Sequence, residues 1–322
     1  MKALKIRQMN AFTEITSDLD FADFFNTDDK CREWLMDHRW NGKPKCTCGH
    51  EDKLYIMNGG KFYKCSSCKA TFSVTSGTFL HGTRISLRKW FYALYIFVNN
   101  KKGFSSYGLA KKLKVTQKTA WFMLHRIRHA MTDKTLRLSG EVELDETFVG
   151  GKNKNRHWDK KVKGNQGRAL IDKCAIYGMV ERGKGGRVKI IHVKNLCGAG
   201  LQALARHFIS DTSVIHTDEY RSYIGIDRYF EAHFAVNHGQ GQYVIDGGHT
   251  NTIECFWSQL KKGIFGVYHF TSKHLLYRYC HEFEFRWNTR QETELGRFLT
   301  ALNQGLNKRL SWSMASDHSR KW

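Results

Sequence analysis

The chain has 322 residues, with 52 Lys+Arg against 30 Asp+Glu and a formal net charge of +22. At 41% hydrophobic and 25% charged it is too apolar for a disordered chain, and its single proline, Pro44, and lack of sustained heptads exclude collagen-like and coiled-coil architectures. Its longest apolar run, Trp90 to Val98, is nine residues, whereas a bilayer span needs about 20, and no apolar signal core follows Met1 to Lys5.

These features predict a soluble, cytoplasmic protein of two or three domains whose charge points to a polyanionic partner and to no membrane. The nine cysteines are odd in number, and only four of them cluster. Cys31, Cys174, Cys197, Cys255 and Cys280 are scattered, mostly among apolar neighbours, which fits a reducing compartment better than a secreted disulfide framework.

Residues 1–44 read as a helical lead-in, with Asp28-Asp29 ahead of apolar Cys31, Leu35 and Met36. Residues 45–80 carry Cys46, Cys48, Cys65 and Cys68 on two turns between short strand-like runs, with Asn58-Gly59-Gly60 as a hairpin signal. Two close cysteine pairs let two turns clamp one tetrahedral ion, so this is a zinc ribbon pattern holding one structural Zn²⁺. The first pair is separated by one residue where two is usual, and His50 is an alternative ligand.

Residues 81–137 are predicted to be helical. Ser86 opens a helix whose Leu87, Trp90, Phe91, Leu94 and Phe97 share one face. A short helix capped near Ser105 or Ser106 follows, then a turn with Val115 in the core, then a helix with Thr116 as N-cap. This is a helix-turn-helix pattern. Its expected outward residues are Gln117, Lys118, Trp121, His125, Arg126 and Arg128, which suit a major groove and phosphates.

Residues 138–295 read as strands near 141–149, 170–180, 187–194, 213–217 and 229–235, with helices near 198–209, 219–224, 251–263 and 272–288. That order predicts an α/β sheet with helices on its faces. Three acids stand out: Asp145 within the first strand, Asp218 at the end of the fourth, and Glu254 on the third helix. Together at one rim they would repel one another unless a divalent cation neutralised them. Magnesium prefers such oxygen ligands, and two ions about 4 Å apart suit in-line phosphoryl displacement. Lys261, seven residues after Glu254, shares its helix face. Glu143, Glu146 and Glu219 read as solvated or capping carboxylates. The segment 152–168 contains seven basic residues, Lys152, Lys154, Arg156, Lys160, Lys161, Lys163 and Arg168, against Asp159 alone. It is expected to track DNA phosphates. Residues 296–322 are expected to form a C-terminal tail.

On these residues the chain resembles the DDE-type transposases of bacterial insertion sequences, in particular the group with an N-terminal zinc ribbon that is related to the eukaryotic Merlin elements. The resemblance spans residues 25–310. It rests on Cys65-Ser-Ser-Cys68 through Thr78, on Leu144-Asp145-Glu146-Thr147 with Gly150-Gly151-Lys152, on Thr217-Asp218-Glu219-Tyr220, and on His249-Thr250-Asn251-Thr252-Ile253-Glu254 through Lys261.

The resemblance implies a multidomain α/β protein with an RNase H-like catalytic core behind the zinc ribbon and helix-turn-helix domain. It implies Asp145, Asp218 and Glu254 as acids holding two Mg²⁺ or Mn²⁺ ions, with Lys261 as the downstream basic residue. Asn251, one turn before Glu254, is the other possible third ligand. The expected activity is binding of terminal inverted repeats, metal-dependent cleavage at the element ends, and joining of the 3′ hydroxyls to target DNA. A homodimer or larger assembly on double-stranded DNA, associated with the nucleoid, is expected. The competing reading is a zinc-dependent DNA-binding regulator whose RNase H-like domain is inactive.

Overall fold

The computed structural model describes residues 12–151, 157–162, 173–218, 220–236 and 249–316. It divides into two compact units: one formed by residues up to Met131 together with Glu292–Ser316, the other by Thr132–Gln291.

In the first unit, helices α1 (Asp18–Phe24) and α2 (Asp28–Trp40) precede a three-stranded antiparallel sheet of β1 (Leu54–Met57), β2 (Phe62–Cys65) and β3 (Thr71–Phe72). Thr27 caps α2 by accepting the Lys30 N–H at 3.2 Å. Met36 and Trp40 of α2 pack on the ribbon's small core of Cys46, Tyr63, Cys65 and Phe72. The lead-in and the ribbon are thus one packed body.

Helices α3 (Leu87–Asn99), α4 (Ser106–Leu113) and α5 (Gln117–Ala130) follow. Ser86, Ser105 and Thr116 cap them, accepting backbone N–H groups of Lys89, Gly108 and Thr119. Three residues join α4 to α5, and Lys114 makes the turn at φ +49°.

The one-face reading of α3 understates its burial. Ala93, Tyr95, Ile96 and Val98 are buried as well. The cause lies far away in sequence. Where a C-terminal tail was expected, α9 (Glu294–Gly305) returns to this unit and buries Phe298, Ala301 and Leu302. Phe298 meets Phe21, Phe25 and Phe91 at ring separations of 5.0, 6.2 and 5.7 Å. The Tyr95 hydroxyl donates to Glu294 at 2.8 Å. A further short helix, α10 (Trp312–Ser316), ends the described chain.

The second unit is built on five strands: β4 (Glu141–Gly150), β5 (Lys173–Glu181), β6 (Val188–Val193), β7 (Val214–Asp218) and β8 (Ala232–Val236). Their order is β6-β5-β4-β7-β8. The β4–β5 and β5–β6 pairs are antiparallel, while β4–β7 and β7–β8 are parallel. Helix α6 (Gly198–Phe208) covers one face with Leu201 and Ala205. Helices α7 (Asn251–Gly263) and α8 (Leu276–Asn288) cover the other with Ile253, Trp257, Leu260 and Phe283. This is the sheet that the RNase H-like expectation requires. The helix expected over 219–224 is a single 3₁₀ turn, Arg221–Tyr223. No helix among the described residues is long and apolar enough to cross a membrane.

Candidate metal and nucleic-acid sites

Strand pairing brings the first two acids together. The last β4–β7 pair is Glu143 beside His216. Two residues farther along each parallel strand stand Asp145, midway along β4, and Asp218, the last residue of β7, so the two acids lie at the same level of the sheet, where β7 ends. The Asp218 carboxylate accepts the Tyr220 N–H at 3.0 Å, which fixes its direction at the strand end.

The third acid comes from α7, whose docking depends on a missing side chain. Gly178 lies opposite Asp145 across the β4–β5 ladder. A Cβ at Gly178 would come within 2.5 Å of the Trp257 ring. The indole therefore occupies the space above Gly178, and its N–H reaches Asp145 Oδ2 at 2.9 Å. Glu254 lies one turn earlier on α7 and is exposed, in the first turn where the helix dipole favours a carboxylate.

Electrostatics tie the three together. The Asp145 pKa is raised to about 6, chiefly by burial and in smaller part by the charges of Asp218 and Glu254. The Trp257 hydrogen bond and the Glu146 backbone amide work in the opposite direction. The carboxylates are close enough to repel, yet they do not form a compact cluster. Among the described residues, only the four cysteines bring three or more possible ligand atoms within 4.8 Å of one another.

Glu143 is a site residue whose importance the sequence did not reveal. It is fully buried. Its Oε2 accepts the Ile253 N–H at 2.9 Å, capping the start of α7. Its Oε1 takes the Arg182 guanidinium at 2.9 Å and lies 3.1 Å from His249 Nδ1. Arg182 also bonds the His249 carbonyl and Glu141. The expected capping role is thus correct, but the cap is a buried ionic anchor for the helix that carries Glu254. The only sequence signal was its position, two residues before Asp145 and so on the same strand face. Glu146 accepts the Tyr223 hydroxyl, and Glu219 lies outside the described residues.

Asn251 is exposed at the first position of α7, and Lys261 is half-buried two turns beyond Glu254. Of the basic segment, Lys152, Lys154, Arg156, Lys163 and Arg168 lie outside the described residues, while Lys160 and Lys161 are exposed.

The cysteine site is compact. Cys46 and Cys68 sulfurs are 3.5 Å apart, and Cys48 and Cys65 sulfurs 3.8 Å. A tetrahedron with metal–sulfur bonds of about 2.3 Å has edges of about 3.8 Å. The short first gap is absorbed by Gly49 at φ +90°, which closes the turn with its N–H on the Cys46 carbonyl. His50 is not part of the cluster: its Nε2 is 3.0 Å from Ser66 Oγ. The residues present thus fit a tetrahedral four-thiolate metal site.

The outward face expected for α5 needs correction. His125, Arg126 and Arg128 are buried. Arg126 lies against the Trp90 and Phe122 rings and donates to the His81 carbonyl at 2.8 Å. Arg128 lies over Phe97. Trp121 packs on His125 and Trp312. Helix α5 is an interior helix here because the C-terminal segment folds back over it, and guanidinium groups can lie flat on aromatic rings. Gln117 is half-buried and bonds Ser106 at 2.8 Å, and Lys118 is exposed beside Trp312.

Comparison with known proteins agrees with this organisation. A family model for an ISXO2-like transposase domain matches residues 137–288, and one for a transposase zinc-ribbon domain matches residues 26–71. The ribbon match starts before α2, consistent with the packing of α2 on the ribbon. An uncharacterized protein in transposable element ISH50 of Halobacterium salinarum is 27% identical over 273 residues, covering 81% of this chain and 91% of that protein. The chain thus carries an ISXO2-like transposase domain behind a transposase zinc ribbon, the two domains of an insertion-sequence transposase.

Proposed function

We propose that this chain binds the terminal inverted repeats of its element, hydrolyses a phosphodiester at each end and joins the freed 3′ hydroxyls to target DNA. In the first step water attacks phosphorus and the bond to the 3′ oxygen breaks. In the second, that 3′ oxygen attacks a target phosphorus and displaces the target's own 3′ oxygen. The observation that carries the reading is the placement of Asp145 and Asp218 at one level of adjacent parallel strands, with α7 docked on Asp145 through Trp257 and carrying Glu254 one turn before it.

Asp145, Asp218 and Glu254 would hold two magnesium or manganese ions, which supply activation of the attacking oxygen and stabilisation of the leaving one. Glu254 is favoured over Asn251 as third ligand because its charge acts on Asp145 and a carboxylate binds a hard cation better than an amide. Trp257 orients Asp145 through Oδ2 and leaves Oδ1 for the ion. Lys261 meets a DNA phosphate beside the acids. The four cysteines hold one zinc ion. The N-terminal unit that carries the ribbon binds the element ends, and two chains bring the ends together.

The test is Asp145→Asn. Cleavage of a duplex carrying the element end should fall by about 10³-fold or more, with end binding retained. Unchanged cleavage would reject the catalytic assignment and favour a DNA-binding regulator.

A further inference from the structure

The burial of three expected DNA-contacting side chains leaves α5 with little exposed charge. The first unit carries its cations elsewhere. A cavity of about 590 Å³ lies between α1, the start of α3 and the end of α4. It is lined by Arg88, Lys89, Lys112 and Lys114, with Tyr92 between them. A second cavity, of about 500 Å³, shares Ser86 with the first and reaches the ribbon hairpin, adding Arg84 and Lys61.

The two concavities meet at Ser86, and seven Lys and Arg side chains line them, Arg32 among them. Arg84, Arg88, Lys112 and Lys114 are exposed and Lys89 is half-buried. Among the described residues, none of these five side chains takes part in an ion pair. Arg32 is already paired with Asp29. The acid that lines the second cavity, Asp28, accepts the Arg88 backbone N–H at 3.0 Å. Such a row costs self-repulsion in the free protein, which a polyanion relieves by displacing its own counterions.

We propose that this groove is the track for the phosphodiester backbone of duplex DNA on the N-terminal unit, with Lys112 and Lys114 contacting phosphates at one end and Arg84 and Lys61 at the other. Its shape favours this partner: a lipid surface is met by a flat or convex face, and a single nucleotide does not span two joined cavities. The inference rests on the reading of the chain as a transposase that binds its element ends.

The experiment removes charge in matched pairs from the full chain. K112Q/K114N takes two exposed lysines from the groove, with Asn chosen because position 114 has φ +49°. K61Q/R84Q takes two from its other part. K101Q/K102Q takes two exposed lysines beyond the opposite end of α3, about 20 Å away along that helix. Binding to a 40-base-pair duplex of the element end is followed by fluorescence anisotropy from 50 to 200 mM KCl, with circular dichroism confirming folding. Each groove pair should lower the slope of log affinity against log salt by about 2, since each lost phosphate contact contributes about 0.9. K101Q/K102Q should leave the slope unchanged. Equal changes in all three variants, or none in the groove pairs, would overturn the proposal. Salt-insensitive or absent binding by the unaltered chain would instead overturn the transposase reading on which it rests.

Discussion

The cysteine cluster and the acid site reach their geometry by opposite routes. The four thiols come from 23 consecutive residues, on two turns that one small sheet holds side by side. The acids come from β4, β7 and α7, spread from residue 145 to 254. The first site is local and compact, and the core around it contains only Cys46, Tyr63, Cys65 and Phe72 as buried apolar residues. The second sits on a five-stranded sheet with a substantial core on each face. The difference teaches which site supports its surroundings and which is supported by them. A ribbon this small has little apolar burial of its own, so a metal ion at its four thiols would be its main support. The sheet stands on its cores and holds its acids against their mutual repulsion.

The largest expected effect tests that division. Replacing Cys65 by Ser, or stripping zinc with a chelator, should remove stabilisation on the order of 10 kcal/mol from the ribbon. Hydrogen exchange should then show the amides of 46–72 losing protection while β4, β5 and β7 keep theirs. Loss of protection in both regions would erase the distinction between them.

The next effect concerns how the acid site is held. Glu143→Gln removes the charge that faces Arg182 and His249 and weakens the cap on α7. Breaking a buried ionic contact of this kind costs about 3–5 kcal/mol. Denaturant unfolding of the unit built on the five-stranded sheet should move by that order, whereas the ribbon's exchange protection should not change.

Much of both sites was legible in the sequence, for different reasons. The cysteines announced themselves by spacing, and the strand acids by sitting at the right points of short β-branched runs. The five strands of the sheet and the helix 251–263 were readable from periodicity, because each has a face that must be dry. What remained hidden depends on contacts between distant segments. Nothing in 117–128 reveals that residues 292–316 will cover it, so Arg126 and Arg128 read as outward cations. Nothing near Glu143 reveals that the N–H of Ile253 will arrive there. Gly178 carried no local signal either, since its need appears only when Trp257 is laid on it.

Gly178→Ala should show that need directly. The added methyl meets the indole at 2.5 Å, so α7 must shift or Trp257 must turn, with a cost of about 1–3 kcal/mol. The Asp145 hydrogen bond should weaken with it. Tryptophan fluorescence and cleavage would both change, while zinc content would not. A variant as stable and active as the parent would mean that α7 docks without this close approach.

The smallest effect comes from the repulsion itself. Because burial and the neighbouring acids raise the folded pKa of Asp145 from 3.8 to about 6, the folded state holds a proton there that the unfolded chain has released. Between about pH 4 and pH 6 this group alone therefore makes stability fall as pH rises, and above pH 6 its full cost is present. Asp145 is partly accessible, so the cost is on the order of 1–2 kcal/mol. Asp145→Asn keeps an oxygen acceptor for Trp257 and removes the charge. Measured without added magnesium, the variant should match the parent in stability at pH 4 and exceed it by that amount at pH 7. Zinc loss at acid pH affects both proteins alike and cancels in the difference. No cysteine substitution should stabilise the ribbon in this way, because four thiols so placed fit a shared metal ion. The acids are gathered against their mutual repulsion, and removing one should relieve the fold.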